Sequence, residues 1–133
     1  MIILFYIKGG LETENDYPYD GWWDEQKCHF NRSLAKVKID SYVILPENET
    51  FLAQWLVNYG PISVGINAKV MQFYFGGISH PYKWFCKQSV DDINHGVLIV
   101  GYGIGKTRIT LKTLPFWIIK NSWGSGWGEH VIN

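Results

Sequence analysis

The sequence predicts an α+β fold: a small twisted sheet or barrel of short strands carrying one clear helix. Three observations support it. Apolar residues repeat once at helical spacing, at Phe51, Leu52, Trp55, Leu56 and Tyr59. Short apolar runs recur at ISVGI (62–66), HGVLIVGYG (95–103) and PFWIIKN (115–121), each bounded by glycine, proline or polar residues. The 14 glycines and 17% aromatic residues fit a turn-rich chain whose rings fill a core. At 133 residues the chain has the length of one domain, and 47% apolar against 18% charged residues make it globular rather than disordered. The 12 basic and 12 acidic residues cancel, which argues against nucleic-acid or polybasic membrane binding.

The elements follow in order. MIILFYI is too short to span a membrane, and it lacks the charged start and small-residue cleavage site of a signal peptide. It reads as a last helical turn, Leu4 to Lys8, closed by Gly9-Gly10. LETENDYPYDG is turn-rich. Val37, Ile39, Val43 and Leu45 fall on alternating positions, which predicts a strand over 37–45 with one buried face. Asn48 is the expected N-cap of the helix that follows, and Gly60-Pro61 should stop it. ISVGI predicts a strand, and KVMQFYFGG a short helix ended by its glycines. HGVLIVGYG reads as a strand buried on both faces, 104–114 as a polar, basic hairpin or loop, and PFWIIKN as a second buried strand.

Two polar groups flank the two most apolar strands. His95 opens one, and Asn121 closes the other. Antiparallel pairing would lay the start of the first beside the end of the second. An amide beside an imidazole accepts a ring N–H, fixes the tautomer and leaves the other nitrogen free as a base. Trp123, two residues on, would roof that contact against water. This accounts for KNSWGSGWGE (120–129), where glycines let the backbone wrap around large rings. From spacing alone, a satisfied structural histidine is the commoner outcome for such a position, and a strand-end asparagine is a common turn former.

The residues also resemble a known family. NHGVLIVGYG followed by PFWIIKNSWGSGWGE is similar to the His and Asn segments of papain-like cysteine proteases. GGLETENDYPYDG, GPISVGINA and MQFYFGGIS resemble the same family in the order it uses them, and they resemble its cathepsin F-like branch most. The resemblance runs from Phe5 to Glu129. It implies the papain-like proteinase fold, mostly the right-hand antiparallel β-barrel-like domain with short helices, truncated at both ends. Residues 1–10 would be the end of a left-domain helix and 11–133 an incomplete right-hand domain.

The resemblance implies roles as well. His95 would be the general base that pairs with a catalytic thiolate, Asn121 would orient it, and Trp123 would cover their bond. Gly65, Asn94 and Gly96 would line the substrate cleft, the two glycines leaving open the pocket for the apolar side chain next to the cleaved residue. The substrate would be a peptide or protein. Cystatin-like inhibitors or the protein's own pro-segment are the further partners implied, with lysosomal or secreted localisation. Two N-x-[ST] sequons, at Asn31 and Asn48, agree with a secretory setting. No cofactor is implied. No metal is expected either, because Cys28-His29 has no second pair at zinc-like spacing.

The family's nucleophile lies in a C-G-[SA]-C-[WY] segment, and these residues contain none. Counting back about 130 residues from His95 lands about 35 residues before Met1. Neither Cys28 nor Cys86 sits at a recognisable helix start, so neither is expected to substitute. The resemblance instead implies two half-cystines with partners outside this sequence, so Cys28 and Cys86 should not bond to each other. The family also continues beyond W-G-E with further strands, whereas HVIN follows here; an exposed sheet edge and apolar patch are therefore expected. The chain by itself is expected to be inactive. The alternative is a non-enzymatic degenerate paralogue or fragment that binds peptides or inhibitors. A carbohydrate-binding module would rest only on Trp22-Trp23 and Trp84, and tryptophans serve more often in cores and interfaces.

Overall fold

A computed structural model describes residues 9–19, 28–81, 89–108 and 110–129. The expected helical turn at 4–8, Trp22-Trp23, Trp84, Cys86 and the terminal HVIN lie outside the described residues. Contacts divide the chain into two compact units, which among the described residues run from 9 to 43 and from 44 to 129.

In the larger unit, helix α1 spans Glu49–Tyr59. Asn48 caps it as the sequence predicts: its side-chain oxygen accepts the Phe51 N–H at 3.0 Å. Glu49 in the first turn complements the helix dipole. Gly60, with φ of 97°, ends it, and its N–H donates to the Leu56 carbonyl. Phe51, Trp55 and Tyr59 stack along one face, with ring centroids 6.1 and 4.3 Å apart.

Three antiparallel strands follow, β1 Ile62–Ile66, β2 His95–Lys106 and β3 Thr113–Lys120, in the order β1-β2-β3. Leu45, Leu56, Ile62 and Ile99 form the core, flanked by Leu52, Trp55, Val64 and Trp117. The apolar stripe of α1 thus covers one face of the sheet, and each buried aliphatic side chain stabilises this packing by about 1.5–3 kcal/mol. Val100 is an extra residue in the β2–β3 ladder, a bulge between Ile99 and Gly101. Past it, the tip of the Phe116 ring lies against Gly103. A β-carbon there would sit 2.7 Å from the ring, so no side chain fits between the strands' faces.

Three expectations about strands are corrected. Residues 37–45 form no strand; Val37 makes a single bridge to Leu11, and Val37, Ile39 and Val43 are exposed, Val37 by 58%. Alternation gives a strand only where a neighbouring backbone takes its hydrogen bonds, and beyond Val37 none does among the described residues. Strand β2 is not buried on both faces. Val97 and Ile99 are buried, but Leu98, Val100, Tyr102 and Ile104 are exposed, Ile104 by 77%. An antiparallel sheet needs cover on one face only, and α1 supplies it to one. Strand β3 is likewise half-buried, with Ile118 exposed.

KVMQFYFGG forms a single 3₁₀ turn, Met71–Phe73, and Gly76 and Gly77 follow with φ of 122° and 75°. The expected polar hairpin is shorter than 104–114, because β2 runs on to Lys106. The buried Thr107 organises its tip: its hydroxyl lies 2.6 Å from that of Thr110 and accepts the Lys112 N–H.

The smaller unit is loop-built. Leu11 pairs with Val37, the Glu12 carboxylate accepts the Asn31 N–H, and Asn31 caps the 3₁₀ turn Arg32–Leu34. Cys28 is exposed and free.

Candidate active site

The sheet topology brings His95 and Asn121 together. Ile66 pairs with His95, and Leu98 pairs with Lys120, so the end of β1, the start of β2 and the end of β3 meet at one end of the sheet. Asn94 fixes the entry to β2. Its N–H donates to the Ile66 carbonyl at 3.1 Å, and its side-chain oxygen accepts the Ala68 N–H at 2.9 Å. The backbone that carries His95 is therefore braced against the exit of β1.

At the end of β3, Asn121 is buried, 8% exposed. Its Oδ1 accepts the Ser122 N–H at 2.8 Å and lies 2.7 Å from Nε2 of His95. A backbone N–H can only donate, so the atom facing it is the oxygen of the amide. The same oxygen can only accept from His95, so Nε2 carries a proton. In the neutral ring the lone pair then sits on Nδ1, which is left as the basic atom. The amide's other end, Nδ2, is buried and meets no hydrogen-bond partner among the described residues.

Trp123 stacks on His95, with ring centroids 5.0 Å apart and planes at 29°. Trp127 meets Trp123 edge-on at 5.0 Å. Trp127 in turn packs on Tyr74 at 5.4 Å, and its indole N–H donates to the Met71 carbonyl at 3.0 Å. A ladder of four rings thus runs from His95 through Trp123 and Trp127 to Tyr74. The sequence reading gave a part to Trp123 alone. The signal for Trp127 was present in the W-x₃-W spacing, but nothing local links either ring to Tyr74. Burial pushes the Tyr74 hydroxyl above its usual range, and the nearby Glu129 charge adds to this.

The register pairs Gly65 directly with Gly96, so two positions without side chains lie side by side next to His95. A β-carbon on Gly96 would meet nothing within 4 Å. Asn94, grouped with them from the sequence, is exposed, and its amide oxygen is engaged in the brace to Ala68. Among the described residues no group of three His, Cys, Asp or Glu side chains is placed to hold a metal ion. Among them, too, no helix is long and apolar enough to cross a membrane.

Residues 2–132 match the family model described as papain family cysteine protease. Cathepsin F of Drosophila melanogaster is 52% identical over 91% of this chain, and cathepsin F of Mus musculus is 50% identical over 91%. Cysteine proteinase 1 of Zea mays is 46% identical over 92%. These alignments span 19%, 24% and 31% of the respective relatives, so the chain covers a third of their length or less. The solved structure of the digestive procathepsin L2 proteinase from Tenebrio molitor larval midgut superposes with a TM-score of 0.67. It is 29% identical, and the match covers 90% of this chain and 35% of that one. The family match along nearly its whole length shows that this chain belongs to the papain family of cysteine proteases.

Proposed function

We propose that this chain supplies the histidine–asparagine half of a cysteine-peptidase centre that cleaves peptide bonds in peptide or protein substrates. The observation that carries the reading is the shared oxygen of Asn121. It holds the Nε2 proton and leaves Nδ1 free, as a general base requires. In this reading His95 takes the proton from a cysteine thiol, the thiolate attacks the scissile carbonyl, and His95 returns the proton to the leaving amine. Water then releases the acyl group, with His95 again as base. Asn121 orients the ring throughout, and Trp123 keeps water from their bond. Gly65 and Gly96 leave room beside the base for an apolar substrate side chain.

The C-G-[SA]-C-[WY] segment that carries the family's nucleophile is not among these 133 residues, so the chain by itself is proposed to be inactive. Lysosomal or extracellular localisation belongs to the same reading. Likeness to cathepsins supports it, as do the exposed sequon residues Asn31 and Asn48. Cystatin-like inhibitors and a pro-segment are its further proposed partners.

The test is a chimera that joins this chain to the cysteine-bearing half of a papain-family enzyme, assayed on a dipeptide fluorogenic substrate. Turnover blocked by a thiol-directed epoxide is expected, with none from the chain alone. Changing His95→Ala should lower turnover by roughly 10²–10⁴-fold, the usual worth of a general base. A chimera that turns over equally well without His95 would refute the assignment.

A further inference from the structure

We propose that Glu129 is a positioning residue for His95, acting through the aromatic ladder rather than by contact with it. The proposal deepens the reading of His95 as the proton carrier, and its observations lie outside the His–Asn pair.

Two loops meet beside that pair. One carries Met71 to Gly77, and the other carries Trp123 to Glu129. They are tied at two points. The Trp127 indole donates to the Met71 carbonyl, and the Gly77 N–H donates to the Glu129 carboxylate. Tyr74 closes the first loop on itself by donating its hydroxyl to the Gly77 carbonyl at 2.8 Å. Its ring packs on Trp127, and one edge of it faces Gly128.

The tie at Glu129 depends on the two glycines. Both have positive φ, and Gly76 lies so close that a β-carbon there would sit 3.0 Å from the Glu129 oxygen. Only glycine allows the turn to present an N–H to the carboxylate at this range. A charged acceptor also strengthens the bond relative to a neutral pair.

The geometry transmits this tie to the site. Glu129 holds Gly77, and Gly77 holds Tyr74. Tyr74 and the Met71 carbonyl fix the plane of Trp127. Trp127 meets Trp123 edge-on, and Trp123 lies on the imidazole. Without the Glu129 tie the first loop keeps the indole hydrogen bond and the Tyr74–Trp127 ring contact but loses its anchor at Gly77, and Trp123 loses part of the backing that keeps it over His95. The bond from Nε2 to Asn121 is then open to water.

The imidazole of the full chain reports this directly by nitrogen-15 and proton NMR. The native protein should show one His95 tautomer, with Nε2–H slow to exchange with water. Glu129→Ala should speed that exchange by roughly five- to tenfold, the effect of losing one ordinary hydrogen bond, and should mix the tautomers. Glu129→Gln keeps an acceptor oxygen for Gly77 and should restore the native signals. Should Glu129→Ala fail to fold, Trp127→Phe removes the indole N–H at the other tie together with half of the ring system, keeps an aromatic ring in the ladder, and should loosen the same His95 signals.

A Glu129→Ala protein whose Gly77 amide signal moves while His95 keeps its tautomer and exchange rate would overturn the proposal. So would a folded Trp127→Phe protein with native His95 signals. Neither result bears on peptidase activity, and an inactive chimera would leave these signals untouched, so the two readings fail separately.

Discussion

The indole of Trp123 lies over the imidazole of His95 with centroids 5.0 Å apart, and beneath it the Nε2–H reaches the Asn121 oxygen at 2.7 Å. Trp123 is proposed to cover this hydrogen bond, which sets the histidine tautomer. Replacing Trp123 with Leu keeps an apolar side chain and removes the flat cover. Water should then compete for Nε2–H. Its exchange, read by NMR, should rise by about tenfold, the equivalent of 1.4 kcal/mol and close to the worth of an aromatic pair. Unchanged exchange would show that the indole is not the cover.

Asn48 joins a structural and a sequence role in one side chain. Its Oδ1 caps α1 through the Phe51 N–H, and it opens an N-x-[ST] sequon. Asn48→Ala should lower the stability of the unit that carries α1 by about 1 kcal/mol, seen as an earlier midpoint in urea unfolding. Asn48→Asp should keep the cap and most of that stability while removing the sequon. Equal midpoints for all three proteins would place the helix start elsewhere.

Gly103 and Gly96 lie on the same strand and should respond in opposite ways to one added methyl group. At Gly103 the new carbon would lie 2.7 Å from Phe116. Gly103→Ala should therefore cost about 1–3 kcal/mol by overpacking. At Gly96 nothing lies within 4 Å, so Gly96→Ala should leave the unfolding midpoint nearly unchanged. In the chimera, the same change should reduce acceptance of bulky apolar substrate side chains, measured as a higher KM for a substrate with phenylalanine beside the cleaved residue. Unchanged KM would take Gly96 out of the proposed pocket wall.

Tyr74 gives the fold a dependence on alkaline pH. Burial, followed by the Glu129 charge, raises its hydroxyl above the ordinary 10.0. The folded protein therefore holds this proton more tightly than the unfolded chain does. The contribution is fully present below about pH 10 and is lost as pH rises through the folded value. Absorbance titration should find Tyr74 ionising above the ordinary 10.0, and Glu129→Gln should bring it back down. A late tyrosine that ignores this substitution would assign the shift to burial alone.

Much of the fold could be read locally. The cap at Asn48, the i to i+4 ring spacing and Gly60-Pro61 define α1 through contacts within one or two turns, so the chain need not be folded for them to be seen. The apolar runs at 62–66, 95–103 and 115–121 mark strands for the same reason. Local pattern did not decide burial. Residues 95–104 look alike on both faces in sequence, yet Val97 and Ile99 are buried and Ile104 is exposed, because only one side of the sheet meets α1. The alternation at 37–45 failed because a strand is defined by its partner, which no run of residues reveals about itself.

The sequence by itself determined the candidate groups of the proposed site: a histidine at one strand start, an amide at another strand's end, and an indole two positions on. A strand's direction and its terminal residues are local facts, so one assumption of antiparallel pairing was enough to bring His95 and Asn121 together. The tertiary structure decided the rest. The Ser122 N–H identifies the oxygen of Asn121, the ladder continues through Trp127 to Tyr74, and Glu129 ties down a loop 52 residues away in the chain. These contacts join distant segments through ring faces and single hydrogen bonds, which have no period along the chain. Their positions are set only when β1, β2 and β3 close side by side and bring the two loops to the same end of the sheet.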